Sequence, residues 1–221
     1  MARNPFTLPH GELPGSIPVF PLPGAVVMPG TELPLNIFEP RYLNMVLDVL
    51  GSQRMVGMVQ PDPARPPLAQ GPALYGTGCA GRITSFAETD DGRIMLVLSG
   101  VCRFDLVGDN LTARGYRQAE VDWRRFAVDY EEGPQDPEDR PGLLHLLQLY
   151  CNARRIEVSW DEMRALPAIQ LANLLITRLP FDAGDKQALI EAVSLGERLR
   201  VLRGLLEMSV SSGESVSERR H

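Results

Sequence analysis

The residues with a capacity for chemistry are few and scattered. The chain has three histidines, His10, His145 and His221, and three cysteines, Cys79, Cys102 and Cys151. His145 is the histidine away from the chain ends, and Cys151 lies six positions on, off its face of a helix. A nucleophile needs a base within hydrogen-bond reach, and this spacing does not supply one. No CxxC and no His/Cys cluster at metal-ligand spacing occurs, so no metal site is expected. Gly76-Thr77-Gly78-Cys79-Ala80-Gly81 matches GxGxxG. A dinucleotide site needs a helix directly after that motif, with the pyrophosphate at its N-terminus. Here Arg82-Ile83-Thr84-Ser85-Phe86 follows, strand-like in residue type, so the glycines read as part of a bent strand. Lys186 is the only lysine and follows no glycine-rich loop. Without GxxxxGK[ST], ATP hydrolysis of the P-loop kind is excluded, and Lys186 reads as helix-end charge pairing. These residues imply no enzyme and no cofactor.

The most distinctive polar cluster is Phe38-Glu39-Pro40-Arg41-Tyr42. Pro40 suits the first turn of a helix, with Glu39 near the positive end of its dipole. Arg41 then pairs with a carboxylate, and Tyr42 packs with its hydroxyl at the rim. The other reading is direct contact with a partner, which makes Phe38, Glu39, Arg41 and Tyr42 the candidate partner-binding residues. Phe86, Trp123 and Trp160 read as core aromatics.

The elements that must position these residues are legible as patterns. Residues 17–20 are a short apolar strand, broken by Pro21, Pro23 and Gly24. After the Pro29-Gly30 turn, Leu33, Leu35 and Ile37 alternate with polar residues and Pro34, as in a half-buried edge strand. Leu43, Val46, Leu47 and Leu50 mark one face of the following helix, which Gly51 ends. The apolar run 55–59 suits a strand buried on both faces, and the proline-dense residues 61–73 a long surface loop, often functional or mobile. Residues 74–88 and 93–104 form a hairpin at Asp90-Asp91-Gly92, with Gly100 at a bend or bulge. Residues 115–125 alternate again, with Ala119, Val121 and Trp123 on one side and Glu120, Asp122 and Arg124 on the other. The remainder is helical. A leucine-rich helix covers 143–152, broad enough to be buried on much of its surface. Capping boxes stand at Ser159/Glu162 and Ser194/Glu197, and local capping at Asp182 and Asp185.

The expected class is therefore α+β: an N-terminal curled antiparallel β lobe followed by a C-terminal helical bundle. The expected division is a flexible arm (1–15), the β lobe (16–126), an acidic linker (127–142), the helical lobe (143–208) and a disordered tail (209–221). The formal net charge of −6 disfavours a nucleic-acid backbone as partner, because such binders carry a basic stripe. Residues 1–15 lack the apolar region of a signal peptide, and no run is apolar enough for a membrane span. With an odd number of separated cysteines this points to the cytoplasm and to reduced, buried thiols.

Several unlike blocks together resemble the N-terminal, substrate-binding domain of ATP-dependent Lon proteases. They are Pro18-Val19-Phe20-Pro21-Leu22, Val26-Val27-Met28-Pro29, Leu33-Pro34-Leu35 and Phe38-Glu39-Pro40-Arg41-Tyr42, then Leu179-Pro180, Asp185-Lys186-Gln187 and Glu197-Arg198-Leu199. The Phe38–Tyr42 block is most similar to the short, stand-alone bacterial members. The resemblance covers about residues 16–208. It implies that the β lobe is PUA-like and that the function is non-catalytic binding of unfolded or damaged polypeptides, or of a protease machine to which they are delivered. ATPase and protease domains are not implied, and the oligomeric state is left open. The rival expectation is an RNA- or small-molecule-binding PUA-like module, with an undetected hydrolase as a third.

Overall fold

Strand β1 (Ser16–Pro21) pairs in parallel with β3 (Met55–Val59) and antiparallel with β6 (Arg117–Asp122). The computed structural model describes residues 6, 8–131 and 140–218, the last seven by backbone alone. The remaining strands are β2 (Glu32–Ile37), β4 (Thr77–Glu88) and the long β5 (Ile94–Leu111). The sheet order is β2-β5-β4-β3-β1-β6, and β6 pairs again with β5. Five strands thus close on themselves and β2 extends the sheet outward. The sheet is mixed rather than purely antiparallel: helix α1 (Pro40–Leu50) crosses over between β1 and β3, and a crossover is what a parallel pair needs. The α+β class stands.

Curvature is built into β5. Its register against β4 shifts between Ala80/Gly81 and Ile83/Ser85, so Gly100 lies beside a bulge as the sequence indicated. A side chain at Gly100 would meet the Met28 carbonyl oxygen at 2.0 Å, which explains the glycine. Of the GxGxxG glycines, Gly76 forms a bend just before β4 and Gly78 and Gly81 lie in it, where a Cβ on Gly78 would fall 2.6 Å from both the Met58 carbonyl oxygen and the Phe104 ring. Gly78 and Gly81 permit close packing in the barrel.

Helices α2 (Arg140–Arg154), α3 (Trp160–Ala165), α4 (Ala168–Arg178), α5 (Ala183–Glu191) and α6 (Leu195–Glu218) make the second lobe. Their core centres on Leu147, Leu171, Leu189, Leu202 and Leu206. The segment between β1 and β2 links the two cores. Val26 and Met28 enter the helical core, whereas Val27 enters the barrel core, as alternation along extended chain requires.

Several local expectations shift. The buried stripe of α1 is Tyr42, Met45, Val46 and Val49, and Leu47 is exposed. Tyr42 packs against Phe20, with ring centroids 4.2 Å apart and planes tilted by 45°, and this contact sets that rotation. Helix α2 buries only a stripe, Leu143, Leu147, Tyr150 and Cys151, while His145 and Leu149 face outward. Phe86 is exposed rather than core, Trp123 is buried and Trp160 is half-buried. The Ser194/Glu197 box closes reciprocally, but Ser159 makes no side-chain cap. Residues 8–15 are pinned: the Trp123 indole donates to the Pro14 carbonyl and the Tyr130 hydroxyl to that of Leu8. Buried ring donors need acceptors, and the arm supplies them. Helix α6 continues past Met208, where a disordered tail was expected, with Ser211 Oγ donating to the Glu207 carbonyl. Residues 1–5, 7, 132–139 and 219–221, where part of the arm, linker and tail was expected, lie outside the described residues.

The seam between lobes is polar. Gln60 Nε2 donates to the Ala183 carbonyl and to Gln187 Oε1, and Gln187 Nε2 donates to the Thr77 carbonyl. Lys186 is buried and gives its Nζ proton to the Gly24 carbonyl at 3.0 Å, crossing the seam; this replaces the helix-end ion pair expected for it.

Candidate functional site

Arg41 and Tyr42 form one side of a surface cleft of about 80 Å³. Three elements meet there. The first turn of α1 supplies Arg41 and Tyr42, the proline-rich loop supplies Gln70 and Pro72, and the β5–β6 hairpin supplies Leu111, Tyr116 and Arg117. Pro21 adds an apolar face from the end of β1.

The walls are held by ion pairs between distant residues. Arg117 is almost fully buried and grips Asp109 at two points, Nε to Oδ1 at 2.8 Å and Nη2 to Oδ2 at 2.6 Å. Its Nη1 donates to the Pro72 carbonyl at 2.6 Å, which fixes the loop to the hairpin. On the other side, Arg114 donates to Asp48 and Asn44, and the Tyr116 hydroxyl donates to Asp48 Oδ2, which fixes the hairpin to α1. Burial, helped by the Asp48 hydrogen bond, raises the Tyr116 hydroxyl above its ordinary pKa. The cleft is therefore pre-formed on rigid supports.

The sequence candidates are divided between two surroundings. Tyr42 is buried, and burial raises its hydroxyl above the ordinary value although Arg41 opposes this. Arg41 lies over the Tyr42 ring at 4.5 Å and donates through Nε and Nη2 to Glu39 Oε2. Glu39 occupies the N-cap of α1, but its carboxylate serves Arg41 instead of the helix amides. Phe38 stands apart from the cleft, 60% exposed, with the Arg93 guanidinium 5.7 Å from its ring. Sequence reasoning missed Gln70, Pro72, Leu111, Tyr116 and Arg117, which line the cleft together with Arg41. The one available signal was the length and proline density of the 61–73 loop.

The arrangement suits binding. Sites for drug-sized ligands and cofactors enclose roughly 300 Å³ or more, well above this cleft, so it suits one side chain of an extended chain better than a cofactor. The apolar surfaces of Pro21, Pro72 and Leu111 would take hydrocarbon, and Arg41 stands half-exposed beside them. Cys79, Cys102 and Cys151 are free and buried, and burial raises each thiol, which makes them inert. On α2, His145 is exposed whereas Cys151 is buried. Among the described residues, no group of three or more His, Cys, Asp or Glu is arranged to hold a metal.

A closed barrel continued by a docked helical lobe, with a pre-formed cleft on the barrel side, is the architecture of a binding module. The chain matches the ATP-dependent protease La (LON) substrate-binding domain over residues 16–207, and it belongs to that family. It is 27% identical over 201 residues to Lon protease 2 of Sorangium cellulosum, covering 86% of this chain and 24% of that one. It is 25% identical over 198 residues to the Lon protease of Syntrophus aciditrophicus, with 86% and 24% covered. The chain thus spans about a quarter of the length of these curated relatives. A Lon N-terminal domain protein from Xanthomonas campestris superimposes with a TM-score of 0.59 at 26% identity, over 85% of this chain and 96% of that one. The N-terminal domain of a Mycobacterium avium complex Lon protease has the same fold, with a TM-score of 0.62 at 18% identity, over 89% and 98%.

Proposed function

We propose that the chain recognises unfolded or damaged polypeptide, seating apolar side chains in the cleft between Arg41/Tyr42 and Pro72/Leu111, and passes it to a proteolytic machine. The observation that carries this reading is the cleft itself: pre-formed, of side-chain size, with apolar walls from Pro21, Pro72 and Leu111 beside polar ones, in a family defined by substrate binding. Exposed Leu111 adds apolar contact at its edge. Arg41 and Arg117 already have carboxylate partners, which favours a peptide over an RNA backbone. The chain would supply recognition and no catalysis of its own. Its three buried free thiols suit a reducing compartment, the cytoplasm. The barrel and the helical lobe would act as one unit, because the seam is hydrogen-bonded throughout the Gln60–Gln187 region.

Photo-crosslinking tests the location. A photoreactive phenylalanine analogue at Leu111 is expected to capture a reduced, unfolded protein. The same analogue at Leu149, exposed on α2, is expected to capture little. Equal capture at both positions would remove the cleft from the proposal.

A further inference from the structure

A second cavity, of about 160 Å³, lies on the seam at the start of α6, far in sequence from the cleft. Arg198 lines it while being only 1% exposed. Its Nη1 donates to Asn173 Oδ1 at 2.6 Å and its Nη2 reaches the Ala192 carbonyl at 3.5 Å, both neutral partners. Its Nε–H has no acceptor. The neighbouring Arg103 is neutralised by Asp129, so Arg198 is a buried cation with no counter-ion in contact. Such a charge is costly to bury and favours an anion beside it. Burial, with Arg103 adding to the effect, lowers Arg198 to about 10, which still leaves it charged at neutral pH.

The same cavity receives the N-terminus of α6. Leu195 and Gly196 line it, and the first amides of a helix have no carbonyl behind them. Gly196 is exposed and a Cβ there would meet nothing within 4 Å, so this part of the cavity's rim is uncrowded. Glu197 does not compete, because its carboxylate is held by the Ser194 amide at 3.1 Å. Glu131 stands at the exposed rim. Ser194 and the mutually paired Arg103 and Asp129 also line it, and the remaining walls are hydrocarbon, from Val128, Ile169 and Val193. A bare phosphate would leave those walls unmatched.

We propose that this cavity binds a carboxylate carrying a short apolar group. Its oxygens meet the Arg198 guanidinium and the Leu195 and Gly196 amides, and its hydrocarbon lies against Val128, Ile169 and Val193. The carboxylate belongs either to a free small acid or to the C-terminus of a polypeptide ending in an apolar residue. The site does not depend on the polypeptide cleft.

Calorimetric titration of the whole chain tests it, with isovalerate and its neutral isostere isovaleramide as probes. Two short peptides ending in leucine, one with a free and one with an amidated C-terminus, form the second arm. The expected result is saturable binding of a carboxylate, with the matching amide weaker by about tenfold or more, the usual worth of a charge-assisted hydrogen bond. Isovalerate binding alone identifies a free acid, and preference for the free over the amidated peptide identifies a chain terminus. Arg198→Gln is expected to abolish binding. Should that variant fail to fold, Ile169→Trp, which fills the cavity from a half-buried position, is expected to abolish binding with an unchanged melting temperature. Equal affinity for acid and amide, no saturable binding of either carboxylate, equal displacement by chloride, or undiminished binding to Ile169→Trp would each overturn the proposal. Binding of an end-blocked unfolded polypeptide in any of these cases would leave the cleft reading intact.

Discussion

Arg103 and Asp129 form a two-point ion pair with Nη2 to Oδ1 at 2.7 Å and Nε to Oδ2 at 3.0 Å, and neither side chain reaches solvent. The remaining guanidinium protons go to the carbonyls of Ile190, Ala192 and Val193 in the helical lobe. One barrel residue thereby ties together β5, the segment after β6 and the α5–α6 turn. Removing the carboxylate leaves a buried guanidinium without its counter-charge. Asp129→Asn is expected to lower stability by about 3–5 kcal/mol in urea unfolding. A loss below about 1 kcal/mol would show that the seam does not rely on this pair.

Gly100 faces the Met28 carbonyl so closely that no side chain fits. Gly100→Ala is expected to cost about 3 kcal/mol or more, because backbone on both sides must move. Gly76→Ala is the control, since a Cβ there meets nothing within 4 Å, and it should fall within about 0.5 kcal/mol of wild type. Denaturant midpoints on both variants check the contrast.

Tyr42 and Leu111 share the cleft but differ in burial, 6% against 53% exposed. Tyr42→Ala is expected to destabilise by about 3–5 kcal/mol, the usual loss for a large core aromatic. Leu111→Asp should leave stability within about 0.5 kcal/mol while weakening polypeptide binding. Thermal melts and titrations on each variant separate the two roles. A stable Tyr42→Ala would show that the Phe20–Tyr42 packing does not anchor α1.

Lys186 has its pKa lowered by burial. Its unfolded form therefore holds a proton over a range in which the folded form releases it. Below the lowered folded value both states are charged and the cost of burial is present in full. As pH rises from there toward the unfolded value near 10.5, that cost is relieved, so this group makes stability increase with pH. The stability difference between wild type and Lys186→Met should shift in favour of wild type across that window. A difference that is flat with pH would contradict a buried cation at the seam.

Local chemistry was readable from sequence. Asp90-Asp91-Gly92 gives a turn with Gly92 at φ +79°, and Ser194 and Glu197 cap α6 reciprocally, because each feature lies within a few residues. The family blocks around Phe38–Tyr42 and Asp185–Gln187 were readable as patterns too. The contacts that build the cleft were not. Arg117 reaches Pro72 across 45 positions, and Arg114 reaches Asp48 across 66. Nothing in an arginine's neighbours tells which distant carboxylate or carbonyl it will find. Asp129 looked like linker because acidic, glycine- and proline-rich residues follow it, yet its partner lies 26 positions earlier in β5. The rotation of α1 was missed for the same reason: hydrophobic spacing allows two adjacent stripes, and the packing of Tyr42 on Phe20 selects one.

The most direct test of polypeptide recognition is titration of a reduced, permanently unfolded protein into wild type and Leu111→Asp at two salt concentrations. The account predicts dissociation constants of about micromolar to sub-millimolar for wild type, since limited apolar burial must offset the ordering of a flexible client. It predicts little weakening with salt, and about tenfold weaker binding for Leu111→Asp. Absence of binding, equal binding by both proteins, or tight, salt-sensitive binding of a generic RNA in place of the polypeptide would contradict it.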